Sequence, residues 1–174
     1  MIAVVDYGGG NLGSLIAGLE RRGADFVVTD DPVVVGAAQA CILPGDGAFG
    51  ATMEALEERG LTNALADMID RGRPFLGICI GMQVLFQASD EFGSHEGFGI
   101  FPGRITLLRD APRVPHMGWN QLEILQPHPF LDGVAGGDYA YFLHSYRAPV
   151  GDSTAAACTY GERFTAIVAH EHVM

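Results

Sequence analysis

Basic residues are scarce in this chain: 10 Lys+Arg stand against 21 Asp+Glu, a formal net charge of -11. A protein that grips a phosphate backbone needs a basic stripe to neutralise it, so the composition speaks against a nucleic-acid partner. Long apolar runs are missing as well. The amino terminus, MIAVVDYGGG, has no basic region and only a short apolar run before Asp6, which predicts neither a secretory leader nor a membrane span, and hence a cytoplasmic protein. Cysteine is limited to Cys41, Cys79 and Cys158, an odd number at wide spacing that suits neither a disulfide framework nor a zinc knuckle. No metal and no cofactor is expected, and three free thiols are. Repeats, low-complexity segments and linkers rich in Pro, Gly or Ser are absent too, so 174 residues at 48% hydrophobic predict one domain with one well-buried core.

What is present alternates in type. Short apolar runs at residues 2–5 (IAVV), 26–28 (FVV), 40–43 (ACIL) and 74–78 (PFLGI) read as strands, with helical patterns between them that end in LERRG and MIDRG. This predicts an α/β fold built on a mostly parallel open sheet flanked by helices. From Gly97 onward the texture changes to β-rich runs joined by Gly and Pro, which adds antiparallel strands in the C-terminal half. Ligands of open α/β sheets gather outside the carboxyl ends of the strands. The loops DYGGGN, PGDGAFG and CIGMQ are therefore the places to look for chemistry.

The first of these loops contains a formal G-x-G-x-x-G at Gly8, Gly10 and Gly13, with Asp30 about 20 residues on, where a ribose-binding acid of a dinucleotide fold would sit. The third is more informative. In PFLGICIGMQVLF, Cys79 lies between Gly77 and Gly81 at the end of a strand, and a helical pattern is expected to continue through Met82, Val84, Leu85 and Phe86. Small residues two before and two after a nucleophile permit the sharp strand-to-helix turn that pushes its side chain into solvent. A helix N-terminus there favours the thiolate, and the backbone N–H of Ile80 is placed to receive a developing oxyanion. The plain alternative is a buried core cysteine beside two incidental glycines. Cys41 and Cys158 lack the flanking glycines and read as core.

At GICIGMQ the chain resembles the class I glutamine amidotransferases, and within them the glutaminase subunits of imidazole glycerol phosphate synthase. The resemblance runs in order through DYGGGNLGS (6–14), PGDGAFG (44–50), GICIGMQ (77–83), GFGIFPGRI (97–105), VPHMGWN (114–120) and YFLHSYRA (141–148). It implies a flavodoxin-like amidotransferase fold and hydrolysis of L-glutamine to glutamate and ammonia through a thioester on Cys79. It also implies that the loop after the first strand faces a partner subunit and binds no dinucleotide.

Site roles follow from the resemblance residue by residue. The backbone N–H groups of Asp46 and Ile80 would form the oxyanion hole, and Gly47 would let the backbone approach the substrate. Asp46 departs from the apolar residue usual in the family. A carboxylate beside an oxyanion repels it, so this side chain is expected to point away. Gln83 and Glu91 would contact the substrate, Glu91 through its α-ammonium; periodicity alone would leave both on a helix surface. His144, Ser145 and Tyr146 would grip the substrate largely through backbone groups, with His144 structural and not the general base. Asn11, Trp119, Asn120 and Tyr141 would form the interface with a (β/α)8-barrel cyclase subunit in a heterodimer. Trp119 is the chain's single Trp and sits with His116 in an expected turn, PHMGWN; the other reading is a core Trp.

The family's His and Glu of the catalytic triad come in F-H-P-E-K after a late strand, and no such segment precedes Met174. The expectation is thus a single amidotransferase domain over residues 1–174 lacking that extreme C-terminal segment. In AIVAHEHVM, strand alternation would put His170 and His172 on one face and Glu171 on the other, so these residues are assigned neither catalysis nor metal. The rival readings are a glutaminase subunit of the anthranilate, aminodeoxychorismate or pyridoxal phosphate type, a catalytically inactive partner-binding module, and a dinucleotide-binding fragment.

Overall fold

The computed structural model describes residues 1–174, and the chain divides into two compact units, Met1–Leu85 with Glu171–Val173, and Phe86–His170 with Met174. In the first unit, strands β1 (Ile2–Val5), β2 (Phe26–Thr29), β3 (Ala40–Leu43) and β4 (Phe75–Gly77) form a wholly parallel sheet in the order β2-β1-β3-β4. The central strands are continuously apolar and buried, as parallel strands covered on both faces must be: Ala3, Val4, Val5 and Leu43 are fully inaccessible. Val173 bridges Phe75 in parallel, on the far side of β4 from β3.

Helices α1 (Leu12–Arg21), α2 (Pro32–Ala37), α3 (Phe49–Glu58) and α4 (Leu61–Asp70) connect these strands, and a single turn, α5 (Ile80–Gln83), follows β4. Asp31 caps α2 by accepting from the Val33 N–H at 2.8 Å, with Pro32 at the first helical position, where its missing N–H costs nothing. From β1 the chain steps one way to β2, and from β2 onward it steps the other way to β3 and β4. Right-handed crossovers then place α1 on one face and the later helices on the other. The order reverses between β1 and β3, so the loops that leave these two strands flank the switch point.

The second unit is β-rich. Strands β5 (Phe86–Ser89), β6 (His95–Glu96), β7 (Phe101–Leu107), β8 (His116–Gln121), β9 (Glu123–Ile124), β10 (Tyr139–His144), β11 (Tyr146–Arg147), β12 (Thr154–Tyr160) and β13 (Glu162–Val168) form three small sheets, ordered β11-β7-β5-β6, β10-β8 and β13-β12-β9. All pairings are antiparallel except β5 with β7, which is parallel, a mixture that the expectation of antiparallel strands did not include. Its interior includes Leu108, Cys158 and Phe164, with Phe142 and Tyr160 against them.

Three local expectations need correction. The helix after Cys79 ends at Gln83, and Phe86 already begins β5. An unbroken apolar run such as Val84–Phe86 carries no period, so a buried strand start and a buried helix look alike in it. HMGWN of the segment PHMGWN lies in a strand, β8, rather than in a turn, with Pro115 just before it. The terminal AHEHVM does not alternate, because Glu171 has φ 52, which breaks extended geometry between His170 and His172.

Candidate active site

Two glycines and a strained cysteine make the bend after β4. Cys79 has φ 58 and ψ -115, outside the regions where a residue with a Cβ normally rests, and it is exposed. The flanking glycines are required by close backbone approach. A Cβ on Gly77 would collide with the Gly81 carbonyl, and a Cβ on Gly81 with the Leu43 carbonyl of β3. The G-x-C-x-G spacing therefore folds β4 and the first turn of α5 tightly together, and the Cys79 side chain is left exposed at the bend, as is that of Ile78 before it. The Met82 and Gln83 N–H groups both return to the Cys79 carbonyl, at 3.0 and 3.1 Å. The Gly81 N–H donates to the Ile78 carbonyl at 3.0 Å, so of the first-turn N–H groups of α5 it is that of Ile80, next to Cys79 in the chain, that these backbone bonds do not use, and a helix of one turn adds no long-helix field.

The other two thiols are different in kind. Cys41 and Cys158 are buried, and burial pushes Cys41 up to about 12 and raises Cys158 as well. Neither can supply a thiolate at neutral pH. Gln83, four residues after Cys79, is 8% exposed and so is not part of an ordinary helix surface.

The loop after β3 carries Asp46 and Gly47, both exposed, with Gly47 at φ 117. The Asp46 carboxylate is turned toward the loop after β1: Oδ1 accepts the Gly10 N–H at 3.1 Å. Gly10, itself at φ 103, packs so close that a Cβ on it would lie 2.9 Å from the Gly45 Cα. Tyr7 fills the space behind, 3% exposed, and a Cβ on Gly45 would strike its hydroxyl and come within 2.5 Å of Ile80 Cγ2. Burial raises the Tyr7 pKa; the Thr52 side chain works against this, and the charges of Asp46 and Cys79 add to the rise. Gly10 of DYGGGN thus serves the fit of one loop against another, while Gly9 makes room for the Tyr7 ring of its own loop. Gly13, the third glycine of the dinucleotide pattern, lies inside α1. Asn11 is exposed at the start of α1, and its side chain does not cap the helix.

The remaining candidates belong to the second unit. Glu91 lies in the turn after β5, not on a helix, and its N–H donates to Ser89 Oγ at 3.1 Å. Ser145 separates β10 from β11, and its carbonyl accepts from the Leu108 N–H at 2.9 Å. Tyr146 pairs with Leu107, and its ring meets Phe92 edge-on at 6.4 Å. Both nitrogens of His144 are engaged, Nδ1 with the Tyr146 carbonyl at 2.9 Å and Nε2 with His116 Nδ1 at 2.9 Å, which leaves neither for general-base work.

Strands β8 and β10 invert the usual pattern. Met117, Trp119, Tyr139, Tyr141 and Leu143 point outward with exposures between 55% and 69%, while His116, Asn120, Phe142 and His144 are more covered. Trp119 sits directly opposite Tyr141, the rings edge-on at 5.6 Å. Asn120 faces the other way from Trp119, and its amide nitrogen donates to the Thr159 carbonyl at 3.0 Å. Toward the end of the chain, His172 Nε2 meets the Ile69 carbonyl at 2.7 Å, and His170 is exposed. No group of three or more His, Cys, Asp or Glu is arranged to hold a metal, and no helix is long and apolar enough to cross a membrane.

A family model described as "Glutamine amidotransferase class-I" matches residues 3–173. Imidazole glycerol phosphate synthase subunit HisH of Syntrophotalea carbinolica is 43% identical, covering 100% of this chain and 89% of the relative. The HisH subunit of Methanothermobacter thermautotrophicus is 45% identical over 99% of this chain and 86% of its own length, and that of Halobacterium salinarum 46% over 98% and 80%. Among solved structures, a glutamine amidotransferase superposes with TM-score 0.75 at 16% identity, covering 99% of this chain and 86% of the other. A glutamine amidotransferase from Thermotoga maritima gives 0.68 at 13% identity over 99% and 72%. At such identities the structural matches speak for the fold alone.

Proposed function

The chain belongs to the class I glutamine amidotransferase family, and from that premise we propose that it is the glutaminase subunit of an imidazole glycerol phosphate synthase in histidine biosynthesis, acting in the cytoplasm with Cys79 as nucleophile. The observation that carries this reading is the bend at Cys79, where backbone strain and two obligatory glycines expose one cysteine at the start of α5. Likeness to HisH subunits across at least 98% of the chain selects this branch over amidotransferases that serve other synthases.

The Cys79 thiolate attacks the γ-carboxamide carbon of glutamine, and the carbonyl electron pair moves onto oxygen. The N–H of Ile80, and that of Asp46 in the loop after β3, are the proposed donors to this oxyanion, with Gly47 leaving room for close approach. Collapse breaks the C–N bond, and the nitrogen takes a proton from water and leaves as ammonia. Water then attacks the γ-glutamyl thioester carbon, the C–S bond breaks to return the Cys79 thiolate, and the protons of the attacking water pass to solvent as glutamate is released. Gln83, Glu91 and the 144–146 segment are the proposed substrate contacts, Glu91 for the α-ammonium. His144 is not assigned the proton transfers, because both its ring nitrogens are already engaged.

Ammonia that meets bulk water at neutral pH is mostly protonated and no longer nucleophilic, so a synthase must consume it within a docked assembly. The outward aromatic face of β8 and β10, around Trp119 and Tyr141, is the proposed docking surface for a (β/α)8-barrel cyclase, with Asn11 a further contact. Asn120 lies beneath that face. The test is reconstitution with the cyclase: Cys79→Ala is expected to abolish glutamine-dependent synthesis and to leave ammonia-dependent synthesis intact. Loss of both activities would contradict the division of labour.

A further inference from the structure

We infer that His116 and His144 are positioning residues, linked into a one-way chain of hydrogen bonds that starts at the Asn120 amide and fixes the backbone of the 144–146 segment. The polarity of the chain can be worked out from its end. The Tyr146 carbonyl can only accept, so His144 Nδ1, 2.9 Å away, carries a proton. In a neutral ring Nε2 is then bare, and it faces His116 Nδ1 at 2.9 Å, which must donate. His116 Nε2 is bare in turn and lies 3.4 Å from the Asn120 amide nitrogen, which can only donate. That nitrogen has two hydrogens and two acceptors, the second being the Thr159 carbonyl at 3.0 Å. The amide cannot be turned over, because its oxygen accepts the Gln121 N–H at 2.9 Å.

Every donor and acceptor is used once, and the scheme closes only if both rings are neutral and both carry the proton on Nδ1. The surroundings favour the neutral form. His116 is 2% exposed and lies between Tyr160, stacked at 4.0 Å, and Phe142, stacked at 4.9 Å, with the edge of Phe164 at 5.8 Å. Burial lowers the pKa of both histidines, and for His116 the neighbouring His144 adds to it. The chain thus gives the peptide at Tyr146 a fixed orientation from a rigid aromatic stack. No hydrogen-bonding group in it touches the outward face that carries Trp119.

The role assigned to the chain rests on the glutaminase reading, in which residues 144–146 grip the substrate, so the test has two arms. In the unmodified protein at neutral pH, nitrogen-15 NMR of the imidazoles is expected to show protonated Nδ1 and bare Nε2 at both positions. A proton on Nε2 of either ring overturns the chain. In the second arm a diazo-ketone analogue of glutamine alkylates Cys79. His116→Phe, which keeps a flat ring and removes the nitrogens, is expected to raise the half-saturating analogue concentration about tenfold with the limiting rate within about twofold, the loss of roughly one buried hydrogen bond. His116→Asn, whose amide can stand in for the Nδ1 donor, is expected to recover most of it. An unchanged half-saturation in His116→Phe overturns the positioning role. Failure of the unmodified protein to react selectively at Cys79 overturns the glutaminase reading instead, and the NMR result then stands for the chain alone.

Discussion

Asp46 and Gly10, 36 residues apart, join two loops through a single hydrogen bond from the Gly10 N–H to Asp46 Oδ1 at 3.1 Å. The bond sits at the reversal of strand order, with the Gly10 and Gly45 backbones in near contact beside it. It turns the carboxylate charge toward the loop after β1. Asp46→Ala is expected to remove roughly 0.5–1 kcal/mol, since the bond is exposed, and so to lower Tm by about 1–4 °C for a chain of this size. Asp46→Asn keeps an acceptor oxygen and is expected to stay within about 1 °C of the parent. Thermal unfolding followed by circular dichroism measures both.

Glycine geometry predicts opposite signs at two positions. A Cβ on Gly81 would run into the Leu43 carbonyl, which is backbone and cannot step aside, whereas a Cβ on Gly36 in α2 would meet nothing within 4 Å. Gly81→Ala is expected to cost about 3 kcal/mol or more by overpacking. Gly36→Ala is expected to stabilise by about 0.5–1 kcal/mol, because alanine restricts the unfolded chain and favours the helix. Urea midpoints at constant slope would show the contrast.

Much of this was legible in the sequence, for identifiable reasons. Four apolar runs mark β1 to β4: β1, β3 and β4 because buried parallel strands must be continuously apolar, and β2, half-buried at the sheet edge, by its Phe-Val-Val-Thr run. Gly77 and Gly81 marked the bend at Cys79, because only glycine survives such close backbone approach. Where Val84–Phe86 leaves helix for strand was not legible, since β5 exists by virtue of pairing with β7 and β6. The link between Gly10 and Asp46 was equally hidden: nothing local to either residue reports a contact 36 positions away. The Pro and Gly of PHMGWN predict a turn at His116, although the inward positions His116, Gly118 and Asn120 against the outward Met117, Trp119 and Gln121 have the period of a strand.

The single tryptophan doubles as a probe of docking. Trp119 is 69% exposed, so Trp119→Ala is expected to change stability little. If the aromatic face docks the cyclase, the same substitution is expected to weaken the complex by about 2 kcal/mol, roughly thirtyfold in Kd, as central aromatic anchors do. Binding of a tryptophan-free cyclase is expected to shift the Trp119 emission to the blue in the parent, and calorimetric titration of parent and Trp119→Ala, which needs no tryptophan, measures the two Kd values. A complex of unchanged affinity in Trp119→Ala would place the interface elsewhere.

Acid stability is expected to fall in two separate windows. His116 and His144 have pKa values lowered from 6.5 by burial, with Tyr160 and each other as the titratable neighbours in the stack. Below 6.5 the unfolded chain takes up protons that the folded one refuses, so stability declines as pH drops from that point toward the folded values and then levels. Glu162 acts lower down. Burial works to raise it, but the Arg109 N–H at 2.6 Å and the Arg147 guanidinium at 2.5 Å outweigh that and hold it below 4.5. Its contribution is present above 4.5 and is lost as pH falls through its folded value. Urea unfolding across pH should therefore show one slope beginning near 6.5 that is weakened in His116→Phe, and a second beginning near 4.5 that is weakened in Glu162→Gln. A first slope unaffected by His116→Phe would mean that the buried imidazoles already take up protons in the fold as readily as in the unfolded chain.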